Sequence, residues 1–194
     1  MSSRESILAA VKNSQPELVS LPGEIMGTAS GDAKEKFQQV LESIGGRVVE
    51  VIDANIAERL LELFPSAKRI VSSITTVERY FLKEHRELVH HSLADVDVAI
   101  IESKLGVAEN GAIWVTEEDL KIRVLPFIPE HLVVVLKKEL IVPTMHQAYE
   151  KIDAEAGYGF GVFIAGPSKT ADIEQSLVLG AHGPKSMTIF LLNC

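Results

Sequence analysis

Cysteine is almost missing from this chain of 194 residues, and the one that occurs is the last residue, Cys194. A single thiol cannot form an internal disulfide bond, and a cuboidal iron–sulfur cluster is usually held by about four thiolates. The count therefore excludes an iron–sulfur centre bound by this chain alone. Since no haem or flavin motif is recognisable either, we expect no cofactor, and Cys194 is predicted to be inert.

Long apolar runs and an excess of positive charge are also missing. The longest apolar runs, such as 132–136, fall far short of the ~20 residues of a membrane helix, and the N-terminus lacks the apolar core of a signal peptide. The formal net charge is −8, with 19 Lys and Arg against 27 Asp and Glu. Because the basic residues form no dense cluster, we expect a cytoplasmic protein that binds neither nucleic acid nor membranes.

A metal site is not predicted. The neighbouring residues His90 and His91 are the most tempting pair of ligands. If they lie on a strand, however, their side chains point to opposite faces and rarely bind one ion.

Apolar residues are arranged in alternating strand-like and helix-like segments from Asp32 onward. One helix is predicted to begin at Asp32 and to end at Gly45-Gly46. The main predicted strands cover 48–52, 69–72, 97–102, 113–116, 132–136, 161–165 and 187–192. This order predicts an α/β fold with a mixed, largely parallel sheet flanked by helices. The predicted domain spans 31–194, preceded at 1–30 by a short amphipathic helix and a linker rich in Pro and Gly.

The segment Gly-Pro-Ser-Lys-Thr-Ala-Asp-Ile-Glu at 166–174 directly follows a predicted strand. If a helix begins here, its free backbone N–H groups, two hydroxyls and one ammonium suit an anion. The spacing differs from that of a P-loop. The alternative is that Ser168 or Thr170 caps the helix, and the two roles are compatible.

Two further turns carry candidate groups. His182 lies in Leu-Gly-Ala-His-Gly-Pro at 179–184, where its ring is free to face a cleft and to act as an acid, a base or a hydrogen-bond donor. Alternatively, it bonds a backbone carbonyl within the turn. Asn110-Gly111 stands between apolar segments, which is the strongest short signal for a β-hairpin.

One pair of basic residues belongs to the same set of candidates. Lys121 and Arg123, on a predicted strand, share a face and could meet an anion. Two solvated side chains are the alternative.

The order of these segments resembles that of the lactate-utilisation protein C (LutC/YkgG) family, which carries the LUD domain. The matching elements are a Glu-x-Gly turn at 109–111, an Arg-x-Leu-x-x-Pro-x-x-His-like spacing at 123–131, the segment at 166–174, and Gly-x-His-Gly-Pro at 180–184. The resemblance spans about residues 30–194. Asn110 and Ala112 stand where many members of the family have a Thr-Gly-Thr-like turn. Lys169 stands where Arg is common, and Lys offers a carboxylate a point charge instead of the bidentate fork of Arg.

The resemblance implies an accessory component of bacterial L-lactate utilisation, in which lactate is oxidised to pyruvate together with iron–sulfur partner proteins. A small anion would be bound in a cleft formed by Glu109, Arg123, Lys169 and His182. It also implies the fold of ribose-5-phosphate isomerases and CoA transferases. The complete set of expected ligand-binding residues is Asn110, Gly111, Arg123, Gly166, Ser168, Lys169, Thr170, Asp172 and His182.

The same resemblance leaves two other functions open. In CoA transferases a Glu within a Glu-Asn-Gly turn attacks an acyl-CoA, so Glu109 is a candidate catalytic nucleophile or base of an enzyme of that kind. The third possibility is a purely structural subunit of an assembly, and the sequence leaves homo-oligomerisation open.

Overall fold

The computed structural model describes residues 2–20, 32–81, 90–154, 157, 159–171 and 177–192. Its α-helices are α1 Ser3–Asn13, α2 Ala33–Ser43, α3 Ile56–Leu63, α4 Thr75–Phe81, α5 Glu117–Leu120 and α6 Met145–Ala154. Its strands are β1 Arg47–Val51, β2 Ile70–Ser72, β3 Val98–Ser103, β4 Leu105–Val107, β5 Ala112–Thr116, β6 His131–Lys137, β7 Ile141–Val142, β8 Gly161–Ile164, β9 Lys169–Ala171, β10 Leu177–Leu179 and β11 Ser186–Leu192. Within these ranges, no helix combines the length and apolarity that a bilayer crossing requires.

The central sheet is parallel and has the strand order β1-β11-β6-β3-β2. Its middle strands are continuous apolar runs because helices or a second layer cover both of their faces. In β6, for example, residues 132–136 are all buried. The α/β class and the largely parallel central sheet are confirmed.

A second sheet of four short strands, in the order β7-β4-β5-β8, packs on one face of the central sheet. Here β4 and β5 form an antiparallel hairpin, which confirms the turn predicted at Asn110-Gly111. The strands β9 and β10 form a separate antiparallel pair.

The buried side chains divide the molecule into layers. α3 and α4 cover one face of the central sheet, whereas α2 and the second sheet cover the other, and α6 lies on the outer face of the second sheet. Each interface is one buried cluster: the first contains Leu60, Val77 and Ile100, the second Phe37, Leu41 and Ile189, and the third Ala148, Ile152 and Val107.

Helix α2 begins and ends as the sequence predicts. The carboxylate of Asp32 accepts a hydrogen bond from the backbone N–H of Lys34 at its start. At its end the N–H of Gly46 donates to the carbonyl of Leu41, and the N–H of Gly45 donates to that of Glu42, the two bonds of a Schellman motif.

Two local predictions are wrong, and one condition is not met. Residues 169–171 do not begin a helix: they form β9, because the β-branched Thr170 and its neighbours pair with Leu177–Leu179. Lys121 and Arg123 do not lie on a strand, since they follow the short helix α5 in an irregular segment where Lys121 has a φ of 57°. His90–Leu93 form a turn of 3₁₀ helix rather than a strand.

Candidate functional site

A cavity of about 1150 Å³ lies at the amino ends of the parallel strands. Its walls come from the segments that lead into β2, β3, β6 and β11, together with residues of α3 and α4. Its polar lining includes Lys68, Arg69, Asp97, Glu130, His182 and Lys185. The cavity is therefore built where four chain segments enter one sheet.

The register of the central sheet explains why these segments meet. Val98, His131 and Ser186 are paired across β3, β6 and β11, so the three strands begin at the same level. The Nδ1 atom of His131 lies 2.7 Å from the hydroxyl oxygen of Ser186. The centroid of the His131 ring is 5.0 Å from that of the Phe64 ring. Because Phe64 packs on the buried cluster beneath α3, this contact anchors the edge of the sheet to the core.

Two ion pairs neutralise part of the charge in the cavity wall. Arg69 pairs with Asp95 and also donates to a backbone carbonyl, and Lys185 pairs with Glu130. The Lys185 ammonium holds the pKa of the Glu130 carboxyl below its ordinary value. Because these charged side chains largely neutralise each other in pairs, they contribute more to the shape of the cavity wall than to its net charge.

Asp97 joins the segment before β2 to the start of β3. One of its carboxylate oxygens accepts hydrogen bonds from the backbone N–H groups of Arg69, at 2.9 Å, and Lys68, at 2.7 Å. These bonds lower the pKa of the Asp97 carboxyl, because they stabilise its charged form. The Lys68 ammonium, which also lines the cavity, makes no ion pair with any residue that the structure describes.

The turn at 180–183 brings two predicted motifs together. The N–H of Ser168 donates to the carbonyl of Pro184, and the N–H of Gly180 donates to the carbonyl of Ser168. Between these ties, the N–H groups of Ala181, His182 and Gly183 make no hydrogen bond within the described chain, and neither does the imidazole of His182. Three successive free amides at a glycine turn are suited to binding an anion.

Glu109 has a structural partner. Its carboxylate accepts a hydrogen bond of 2.8 Å from the backbone N–H of Met145, the first residue of α6. A carboxylate at this position satisfies a free amide and complements the helix dipole. Beside it, the side-chain oxygen of Asn110 accepts from the N–H of Ala112, at 3.1 Å, and closes the hairpin turn.

Arg123 lies far from Glu109. Its Nε donates to a carboxylate oxygen of Glu117 at 2.9 Å, and its guanidinium carbon is 5.4 Å from the centroid of the Phe160 ring. Glu117 follows β5 and Glu109 precedes it, and the five residues of β5 span roughly 13 Å. The two predicted cleft residues thus lie at opposite ends of one strand.

The turns at 111 and 166 share a contact with α2. A Cβ atom built on Gly111, whose φ is 67°, would lie 3.0 Å from the backbone nitrogen of Leu41. One built on Gly166, whose φ is 73°, would lie 3.1 Å from the carbonyl oxygen of Ile44. The Lys169 Nζ atom would likewise be 3.5 Å from a Cβ on Gly45. These residues pack around the C-terminal end of α2.

The structure therefore gathers the predicted residues in two groups. His182 lines the cavity, with Ser168 bonded to its turn, whereas Gly111, Gly166 and Lys169 pack on α2. Thr170 pairs with Val178 in the hairpin of β9 and β10. Asp172 and Cys194 lie outside the described residues.

Sequence reasoning missed most of the cavity wall. Asp97, Glu130 and Lys185 each lie within one residue of the start of an apolar strand, at Val98, His131 or Ser186. Charged residues immediately before three strands of one parallel sheet are the signal that could have identified them, because such residues share an edge.

The sequence matches one domain family and several bacterial proteins of that family. The profile of the LUD domain matches residues 22–192. Lactate utilization protein C of Oceanobacillus iheyensis is 31% identical over 102 residues, which cover 50% of this chain and 44% of that protein. Lactate utilization protein C of Anoxybacillus flavithermus is 27% identical over 167 residues, 86% of this chain and 72% of that protein.

A solved structure shares the fold. A DUF162 family protein from Deinococcus radiodurans superposes with a TM-score of 0.64 and 17% sequence identity. The match covers 83% of this chain and 96% of the other. By contrast, this chain spans less than half the length of the first curated relative, at 44%.

Proposed function

Because this chain belongs to the LUD domain family, we propose that it takes part in bacterial L-lactate utilisation and binds an anionic ligand at the 180–183 turn. The relatives named lactate utilization protein C support the physiological role. Three successive amides and an imidazole that make no hydrogen bond with any described residue, on the wall of a cavity, support the binding role. This group of donors is the observation on which the anion site depends.

The helix dipoles disfavour an anion at this edge of the sheet, so local groups must bind it. The helices that precede parallel strands direct their negative ends toward this edge of a sheet. An anion here must be stabilised by the turn amides, by His182 and by the ammonium group of Lys68. His182 is exposed, and in its charged form it would donate from both ring nitrogens.

Oxidation of lactate to pyruvate releases two electrons, and we infer that partner proteins accept them. One cysteine is too few for an iron–sulfur cluster. The proposal therefore assigns the redox centre to iron–sulfur proteins that act beside this chain. Copurification of the tagged chain from cells grown on L-lactate should recover a protein rich in paired cysteines, and recovery of this chain alone would contradict that assignment.

Growth tests the physiological role. A strain lacking the gene and any other lactate dehydrogenase should fail to grow on L-lactate and should grow normally on pyruvate. Normal growth on L-lactate would refute the role.

Calorimetry tests the binding role. L-lactate, pyruvate and inorganic phosphate are titrated into the intact chain, and at least one should bind. His182→Ala should weaken that binding, whereas His146→Ala, at an exposed position on α6, should not. Absence of heat with all three anions, or equal effects of the two variants, would count against the anion site.

A CoA-transferase-like activity through Glu109 has less support. A nucleophile must be free to attack, whereas the Glu109 carboxylate bonds the first amide of α6. The cavity lining does not include Glu109. Trapping of a thioester at Glu109 by hydroxylamine, lost in Glu109→Gln, would reverse this ranking.

A further inference from the structure

The cavity is much larger than a three-carbon acid. Its volume is about 1150 Å³, whereas an anion with the bulk of about six water molecules fills roughly 180 Å³. Cavities of about 300–1,000 Å³ typically hold ligands of the size of drugs and cofactors. A ligand matched to this cavity therefore extends well beyond one carboxylate group.

The part of the wall that lies outside the polar groups is apolar and partly aromatic. Leu61, Tyr80, Phe127 and Ile128 line the cavity with exposed fractions of 53%, 68%, 40% and 36%. Four large, partly exposed apolar side chains that line one cavity are typical of a binding surface. Together with the free amides at 181–183, they favour a ligand that has both an apolar portion and an anionic portion.

We propose that this cavity binds an anion of nucleotide size, with its charged group at the 180–183 turn and a planar ring against Tyr80 and Phe127. The inference rests on the proposed anion site and adds the class of its ligand. Aromatic side chains favour a ring over an acyl chain, because their faces stack on other rings. The flat guanidinium of Arg69, also in the wall, can stack in the same way.

Titration of the intact chain with ADP and with flavin mononucleotide tests the proposal, and inorganic phosphate is the ring-free reference. At least one ring compound should bind about tenfold or more tightly than phosphate, the gain expected from stacking on one aromatic side chain. Phe127→Ala and Tyr80→Ala should each reduce this gain, and the double variant should remove most of it. Tyr149→Ala, on α6 and 49% exposed, is the matched control and should retain it.

The outcomes separate the two proposals. If phosphate or lactate binds and is lost in His182→Ala, but ADP and flavin mononucleotide bind no more tightly, the ring site is refuted and the anion site remains. If the ring compounds bind and the gene deletion grows normally on L-lactate, the physiological role is refuted and the ring site remains. If Tyr149→Ala weakens binding as much as Phe127→Ala, the ring lies elsewhere and the proposal is wrong.

Discussion

Replacing Gly111 by alanine should destabilise the protein more than the same change at Gly45 or Gly157. Gly111 has a φ of 67°, and its added Cβ would lie 3.0 Å from two backbone atoms of Leu41. Gly45 has a φ of 88° but would place the nearest atom, a flexible Lys169 terminus, at 3.5 Å. Gly157 would place nothing within 4 Å. The three positions thus separate backbone strain from steric overlap.

The magnitudes follow from these contacts. The left-handed conformation costs an L residue about 1–2 kcal/mol, and this is the whole cost expected for Gly45→Ala. At Gly111 the overlap is with the backbone of a helix whose Leu41 side chain is fully buried, so it adds about 1–3 kcal/mol. Gly111→Ala should therefore cost about 2–5 kcal/mol in total, whereas Gly157→Ala should stay within about 0.5 kcal/mol of the parent.

Urea and thermal unfolding followed by circular dichroism measure this series. At about 2–4 °C per kcal/mol for a chain of this size, Gly111→Ala should lower the Tm by roughly 4–20 °C. Gly157→Ala should be the most stable of the three variants, Gly45→Ala the next, and Gly111→Ala the least stable. Equal loss at Gly45 and Gly111 would refute the close packing of the 111 turn against α2.

Two further predictions concern carboxylates. Glu109→Ala should lower the free energy of unfolding by about 1 kcal/mol, because the backbone amide of Met145 loses its hydrogen-bond acceptor. Glu109→Gln keeps an acceptor and should lower it less. Equal urea midpoints for both variants and the parent would contradict this capping role. Asp97→Asn should cost about 1 kcal/mol at pH 7, because a neutral oxygen replaces the charged acceptor of the Lys68 and Arg69 amides. The pKa of Asp97 is lowered from 3.8 in the folded chain. The loss of unfolding free energy in Asp97→Asn should therefore persist at every pH above 3.8 and shrink as the pH falls below it. A loss that grows in acid would contradict this prediction.

The regular elements were readable from the sequence because local signals and burial agree. β6 and β11 are continuous apolar runs, and α2 has both its cap at Asp32 and its stop at Gly45-Gly46. Such agreement leaves little room for an alternative structure. The hairpin at Asn110-Gly111 was predicted for the same reason.

Pairing between distant segments explains what the sequence did not reveal. Residues 169–171 look like a helix start after Pro167, yet their partner strand lies at 177–179. The cavity wall depends on the same kind of information, since Asp97, Glu130 and Lys185 come together only through the register of β3, β6 and β11. Such pairing cannot be read from one segment alone, and for the cavity wall the charged residue that precedes each of the three strands is the one local signal of their common edge.

Helix α1 differs from every other helix described above in that none of its residues is buried. Within the described residues, its stabilising bonds are the capping box between Ser2 and Glu5 and its own backbone bonds, and an isolated helix of 11 residues is marginal in water. Its amide protons should therefore exchange with deuterium orders of magnitude faster than those of β6. Deuterium uptake in this segment becomes a direct reporter, because any protein that docks on Ile7, Leu8 or Val11 must slow it.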